Sequence, residues 1–136
     1  MQVISWGWSP KMTADVGPIT VSYLYLPEVN HLIIQPLYAV PQHAEQVSRW
    51  LWQEFGEGLS AAFFASVINH SMTPGALPVT FVATDGDRLI GTVGLWRCDL
   101  ITRQDLWPWM AALYVAPDAR GRGIAGQLQQ HVIDYA

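Results

Sequence analysis

Arginine and glycine alternate at Arg120-Gly121-Arg122-Gly123, between an apolar run ending at Val115 and an amphipathic stretch that starts near Ile124. Ala116-Pro117-Asp118 breaks the apolar run, so the order reads as strand, turn and helix start. The first N–H groups of a helix have no intrahelical acceptor and lie at the positive end of its dipole, so such a turn makes an anion cradle. Glycine lets main chain approach a ligand closely, and a guanidinium fork matches phosphate oxygens. The chemistry expected here is capture of a phosphate-bearing ligand.

Other reactive groups are sparse. Cys98 is the lone cysteine, which excludes an internal disulfide and leads us to expect a buried, inert thiol and a reducing cytoplasm. His31, His43, His70 and His131 are scattered without metal-ligand spacing, so no metal is expected, and His70 and His131 read as helix-surface histidines. Trp107 and Trp109 either roof a substrate or pack beside Trp96; packing is the reading for Trp109, and Trp107 stays open.

Composition narrows the classes further. The 136 residues fit one domain, with 51% hydrophobic and 13% charged residues, as in a globular protein. A formal net charge of −4 argues against nucleic acid or an anionic membrane as partner while allowing a local basic patch. The opening Met1–Pro10 lacks the pattern of a signal peptide, and no run is apolar and long enough to cross a membrane.

The elements that must position the turn follow from periodicity. Residues 1–30 form an N-terminal extension, with a candidate extra strand at Ile19–Leu26 that could lengthen a sheet or pair with a second molecule. His31–Tyr38 reads as an edge strand because of Pro36. From Pro41 the period becomes helical, placing Ala44, Val47, Leu51 and Phe55 on one face. A second helix, Leu59–Asn69, is expected to face inward through Leu59, Ala62, Phe63, Ser66 and Val67. Val79–Thr84 and Arg88–Trp96 flank Asp85-Gly86-Asp87 as a hairpin. Met110–Val115 is the next strand, and a helix from about Gly121 buries Ile124, Leu128, Val132 and Tyr135. The order predicts an α/β (α+β) domain, a mixed and mostly antiparallel sheet flanked by helices.

Gly121-Arg122-Gly123-Ile124-Ala125-Gly126 matches G-x-G-x-x-G, yet five residues separate Val115 from Gly121 and no ribose-binding acid or further βαβ unit follows. The Walker A pattern is absent as well. The wider spacing from Leu113 to Leu128, Leu-x-Val-x-Pro-x-x-Arg-Gly-x-Gly-Ile-Ala-x-x-Leu, resembles the acetyl-coenzyme A (acetyl-CoA) motif of the GNAT superfamily of N-acetyltransferases. The core of that motif, Gln/Arg-x-x-Gly-x-Gly/Ala, falls on Arg120, Gly123 and Ala125. The Asp85 hairpin, Gly91 and the two preceding helices are similar to that family's layout, over about residues 31–136.

The resemblance implies a GNAT-like acyl-CoA N-acyltransferase fold with acetyl-CoA as cosubstrate. Arg120, Gly121, Arg122, Gly123, Ile124 and Ala125 would cap the pyrophosphate, Arg122 equally well as a solvated helix-start residue. The pantetheine arm would lie along Leu113, Tyr114 and Val115, where a strand N–H polarises the acetyl carbonyl. An amine of lysine-like pKa, about 10.4, must be deprotonated before attack. Asp99, Asp105 and Tyr114 are the catalytic candidates, with Glu54 and Glu57 further carboxylates that also read as solvated acids.

Measured against that family, the strand, helix and final strands that usually follow the motif helix are missing before Ala136, so the expectation is a C-terminally short fold. Those elements often bring a tyrosine that protonates the leaving thiolate, a role Tyr135 on the motif helix does not inherit. The sequence therefore supports an N-acetyltransferase acting on a small-molecule or protein amine, or a catalytically impaired acyl-CoA-binding module serving as sensor or assembly subunit. A bare edge beside the motif strand is a pairing hazard, which makes a homodimer the expected way to cover it. Light scattering at high concentration should then report a dimer, and a stable monomer would count against the covered edge.

Overall fold

A computed structural model describes residues 31–136; the run Ile19–Leu26 and the rest of the extension lie outside the described residues. The strands are β1 (Leu32–Pro36), β2 (Val79–Asp85), β3 (Arg88–Trp96) and β4 (Trp109–Val115), and the helices are α1 (Ala44–Phe55), α2 (Ala61–His70) and α3 (Ile124–Tyr135). The sheet order is β1-β2-β3-β4, with each pairing antiparallel. β1 is an edge strand that ends at Pro36, because proline donates no ladder hydrogen bond. β2 and β3 are joined through Gly86 and Asp87, with Gly86 at φ 59.

Helices cover both faces of the central strands, which is why β2 and β3 are buried almost throughout. Phe81, Ile90, Val93 and Leu95 face a core completed by Ile124, Leu128 and Val132 of α3. Val82, Leu89, Trp96 and Ala111 belong to a second core with Val47 and Leu51 of α1 and Phe64 and Ile68 of α2. Ser71 and Thr80 bridge α2 to β2: the Ser71 hydroxyl donates to the Val67 carbonyl at 3.0 Å and lies 2.9 Å from the Thr80 hydroxyl.

The inward faces of α1 and α2 differ from the expected ones. Phe55 is exposed at the end of α1, leaving Val47 and Leu51 as its buried residues. In α2 the buried side chains are Phe64 and Ile68, whereas Leu59 and Phe63 are exposed. Alanines and phenylalanines make α2 apolar nearly all round, so its period does not discriminate one face, and packing on the sheet decides. Its start is set locally, where the Ser60 hydroxyl accepts from the Phe63 N–H at 3.3 Å.

Three further side chains also sit differently. Cys98 is half-buried, with the Gln104 amide 3.2 Å from its sulfur. His131 packs edge-on against Phe81 with ring centres 4.7 Å apart, as Tyr135 does at 5.0 Å. Tyr135 is nonetheless 49% exposed, so it roofs the core rather than filling it.

Trp96 folds its indole across Gly94. A Cβ on Gly94 would fall 2.0 Å from Trp96 Nε1, and that buried nitrogen has no hydrogen-bond partner among the described residues. Gly94→Ala must therefore displace the ring, and we expect a loss of about 1–3 kcal/mol, as for other overpacked cores. Urea denaturation checks this through a lower midpoint at unchanged m-value; an unchanged midpoint would show that the indole moves without cost.

Candidate functional site

β4 carries an irregularity at its centre. Gly94 pairs with Ala111 and Thr92 with Tyr114, so Val93 stands opposite both Ala112 and Leu113, a β-bulge. Ala112 adopts φ 52, a left-handed conformation that costs a non-glycine residue about 1–2 kcal/mol. Ala111 and Ala112 both lie on the α1–α2 side, Leu113 packs on the α3 side, and Tyr114 returns to the first. The extra residue thus determines which way Tyr114 points. β4 is the outer strand, and its other edge has no strand partner among the described residues.

Past Val115 the chain makes a single 3-10 turn, Pro117–Ala119, then reaches α3 through two residues that need positive φ, Gly121 at 77 and Gly123 at 75. The corner is anchored from below. Ala116 N–H donates to the Ile90 carbonyl at 2.9 Å, Ala119 N–H to the Ala116 carbonyl at 2.9 Å, and Ala119 and Ile124 are buried. Above it, the amides of Gly121, Arg122, Gly123, Ile124, Ala125 and Gly126 donate to no acceptor among the described residues; the first bond into α3 runs from Gln127 N–H to the Gly123 carbonyl. No side chain caps the helix, and its first turn holds no acidic residue.

A cavity of about 110 Å³ opens between Val115, Ala119, Arg120, Gly121, Gly123, Ile124 and Ala125. That is the volume of a few waters, at about 30 Å³ each in the liquid, enough for one oxyanion group. A Cβ at Gly121 or Gly123 would meet nothing within 4 Å, so the space over both is open.

The two arginines do different things. Arg120 turns back on the strand, its Nε donating to the Val115 carbonyl at 2.9 Å and its guanidinium lying 5.7 Å from the centre of the Tyr114 ring. Tyr114 in turn packs on Trp50 of α1, ring centres 5.0 Å apart. Arg122 reaches the other way, 3.4 Å from the Asp85 carboxylate at the end of β2. Next to it Arg88 pairs with Asp118, so the β2–β3 hairpin holds the turn from beneath. Both pairs are substantially exposed and orient more than they stabilise.

The carboxylates singled out in the sequence lie elsewhere. Asp99 and Asp105 belong to the loop between β3 and β4, at the start of β4, whereas the cradle is at its end, about 20 Å further along at strand rise. Arg103 grips Asp105 through two hydrogen bonds of 2.8 and 2.7 Å and holds its carboxyl below the usual range, which makes it a poor proton acceptor. Glu54 and Glu57 are exposed at the end of α1 and just beyond it. Of the three catalytic candidates, Tyr114 is the one beside the cradle. His70 is exposed with its Nδ1 2.7 Å from the Ser66 carbonyl oxygen. Trp109 is half-buried and its indole donates to the Leu106 carbonyl at 2.7 Å, while Trp107 is 69% exposed.

Larger cavities also lie away from the glycine turn. One of about 560 Å³ separates α1 from α2 and is lined mainly by Ala44, Ser48, Trp52, Ala61 and Ala65, with Glu45 and Arg49 paired to each other at its rim. Another of about 410 Å³ is bounded by Phe63, His70, Trp96 and Cys98. Neither offers a row of free amides. Trp50, Asp85, Arg88 and Asp118 were not among the site residues expected from sequence, since each joins through a contact remote in the chain.

Comparison with known proteins points the same way. Residues 44–136 match the model of the acetyltransferase (GNAT) family. A solved structure of an integron cassette protein from V. cholerae superposes with a TM-score of 0.51 at 19% identity, covering 78% of this chain and 68% of that one. Another, described as a possible acetyltransferase from Clostridium difficile 630, gives 0.54 at 14% identity over 76% and 70% of the two chains. At these identities the likeness is one of fold. No curated protein matches. With the strand, the glycine turn and the helix assembled in the motif's order within the matched residues, this chain belongs to the GNAT acetyltransferase family.

Proposed function

We propose that the protein is an acetyl-CoA-dependent N-acetyltransferase acting on a primary amine of a small molecule or protein, in the cytoplasm. The observation that carries this reading is the row of unpaired amides from Gly121 to Gly126 over an oxyanion-sized cavity. These N–H groups, at the positive end of α3, fit a pyrophosphate, with Arg122 in reach to add charge. The open edge of β4 would take the amide-bearing pantetheine arm by strand-like pairing along Leu113, Tyr114 and Val115. That use of the edge competes with pairing to a second copy.

Acetyl-CoA supplies the acyl thioester. The chain's own contribution at the reacting end is main chain: the bulge at Ala112 and Leu113 takes backbone out of regular pairing with β3 and makes its N–H groups available to polarise a carbonyl. Held by a packed strand, such a donor needs no reorganisation as charge develops. The amine loses its proton to solvent, because Arg103 already holds Asp105, and the departing thiolate takes one from solvent or from the Tyr114 hydroxyl.

Calorimetric titration with acetyl-CoA, followed by a thiol-release assay over a panel of amines, tests the reading. We expect binding and amine-dependent release. Binding without release would leave an acyl-CoA-binding module, and no binding would overturn both. Gly123→Glu should abolish binding by placing bulk and negative charge over the amides. Gly123→Ala should cost about 1–2 kcal/mol of stability from its left-handed backbone, visible in denaturation without ligand. Unchanged affinity in Gly123→Glu would put the ligand elsewhere.

A further inference from the structure

We infer that the Arg120 side chain serves the cradle as a strut that fixes the turn, and not as a charged ligand for the phosphates. The proposal rests on the reading of the turn as an acyl-CoA cradle and assigns one side chain within it. Arg120 lies in the extended region, φ −69 and ψ 160, immediately before the first left-handed glycine. From there its Nε closes the loop by donating to the Val115 carbonyl, the last of β4, at 2.9 Å. The central guanidinium carbon lies over the Tyr114 ring, 5.7 Å from its centre, and that ring itself rests on Trp50. A cation over an aromatic face, backed by a second ring, is held on that side of the turn. The backbone N–H of the same residue reaches the Pro117 carbonyl at a long 3.4 Å, so main chain alone ties Arg120 down weakly.

The function of this contact resides in a donor at a given distance from the backbone, not in a charge. Glutamine carries its amide nitrogen the same number of bonds from Cβ as arginine carries Nε, whereas the lysine nitrogen stands one bond further out. R120Q therefore keeps the donor and discards the charge; R120K keeps the charge and misplaces the donor. The two substitutions separate a strut from a phosphate ligand, which mutation to alanine does not.

The experiment has two arms on the full chain, with R120Q, R120K and R120A beside the unsubstituted protein. In the first, titration with acetyl-CoA at several salt concentrations should give R120Q an affinity within about threefold of the parent and the same salt dependence, with R120A and R120K about tenfold weaker, the scale of one lost hydrogen bond. Weakening of R120Q equal to that of R120A overturns the proposal, whatever R120K does. In the second, amide hydrogen exchange without ligand follows the Ala116 and Ala119 N–H groups, both bonded at 2.9 Å, the first to Ile90 of β3 and the second inside the loop that Arg120 closes. R120A should speed exchange at Ala119 by about tenfold and R120Q should restore it; equal acceleration in both overturns the strut. Should acetyl-CoA fail to bind even the unsubstituted protein, the acyl-CoA reading falls while the exchange arm still decides the role of Arg120.

Discussion

Six consecutive residues, from Gly121 to Gly126, present backbone N–H groups that no acceptor among the described residues satisfies, and the surrounding structure is arranged so that they stay that way. Left to solvent, such groups cost little; turned toward an anion, they add to a helix dipole and need no rearrangement. The condition is that the helix does not extend back through the turn, where the same amides would find carbonyl acceptors four residues earlier. Left-handed backbone at Gly121 and Gly123 prevents that extension. The absence of a side-chain cap or an acidic residue in the first turn of α3 leaves the positive end uncompensated.

Rigidity comes from below and from both sides. Ile124, Leu128 and Val132 seal α3 onto the sheet, while the Ile90 carbonyl holds Ala116 where the strand ends. On one flank the stack of Trp50, Tyr114 and Arg120 joins α1 to the turn. On the other, Asp85 and Arg88 of the hairpin meet Arg122 and Asp118. The exposed ion pairs add little energy, each on the order of 0–1 kcal/mol, so apolar burial carries the stability and the charges set direction.

In the proposed mode, the bulge in β4 links binding to chemistry. Without the extra residue, the alternation would place Tyr114 on the α3 side and break its contacts with Trp50 and Arg120. With it, the strand carries local strain at Ala112 and offers backbone groups at the point where a thioester carbonyl would lie in the proposed mode. One insertion thus positions the aromatic flank of the turn and, in the proposed mode, the main chain of the reacting end.

The order of elements, the hairpin, the early end of β1 at Pro36 and the turn at Gly121–Gly123 were legible in the sequence, because each rests on local chemistry: β-branched runs, a two-residue turn, a missing donor, a residue tolerant of positive φ. The inward face of α2 was not, since Phe63 and Phe64 are equally apolar and only the sheet beneath chooses Phe64. Nor was the direction of Arg120, whose partners Val115 and Tyr114 are near in sequence but come within reach only after the turn and the bulge have formed. Asp105 reads as a free carboxylate until Arg103 closes on it through two hydrogen bonds. The motif of 113–128 by itself determined a turn whose main chain tolerates positive φ and leads into a helix start. Tertiary structure decided which side chains the turn spends on holding its own shape, because that depends on distances between elements that no local pattern encodes.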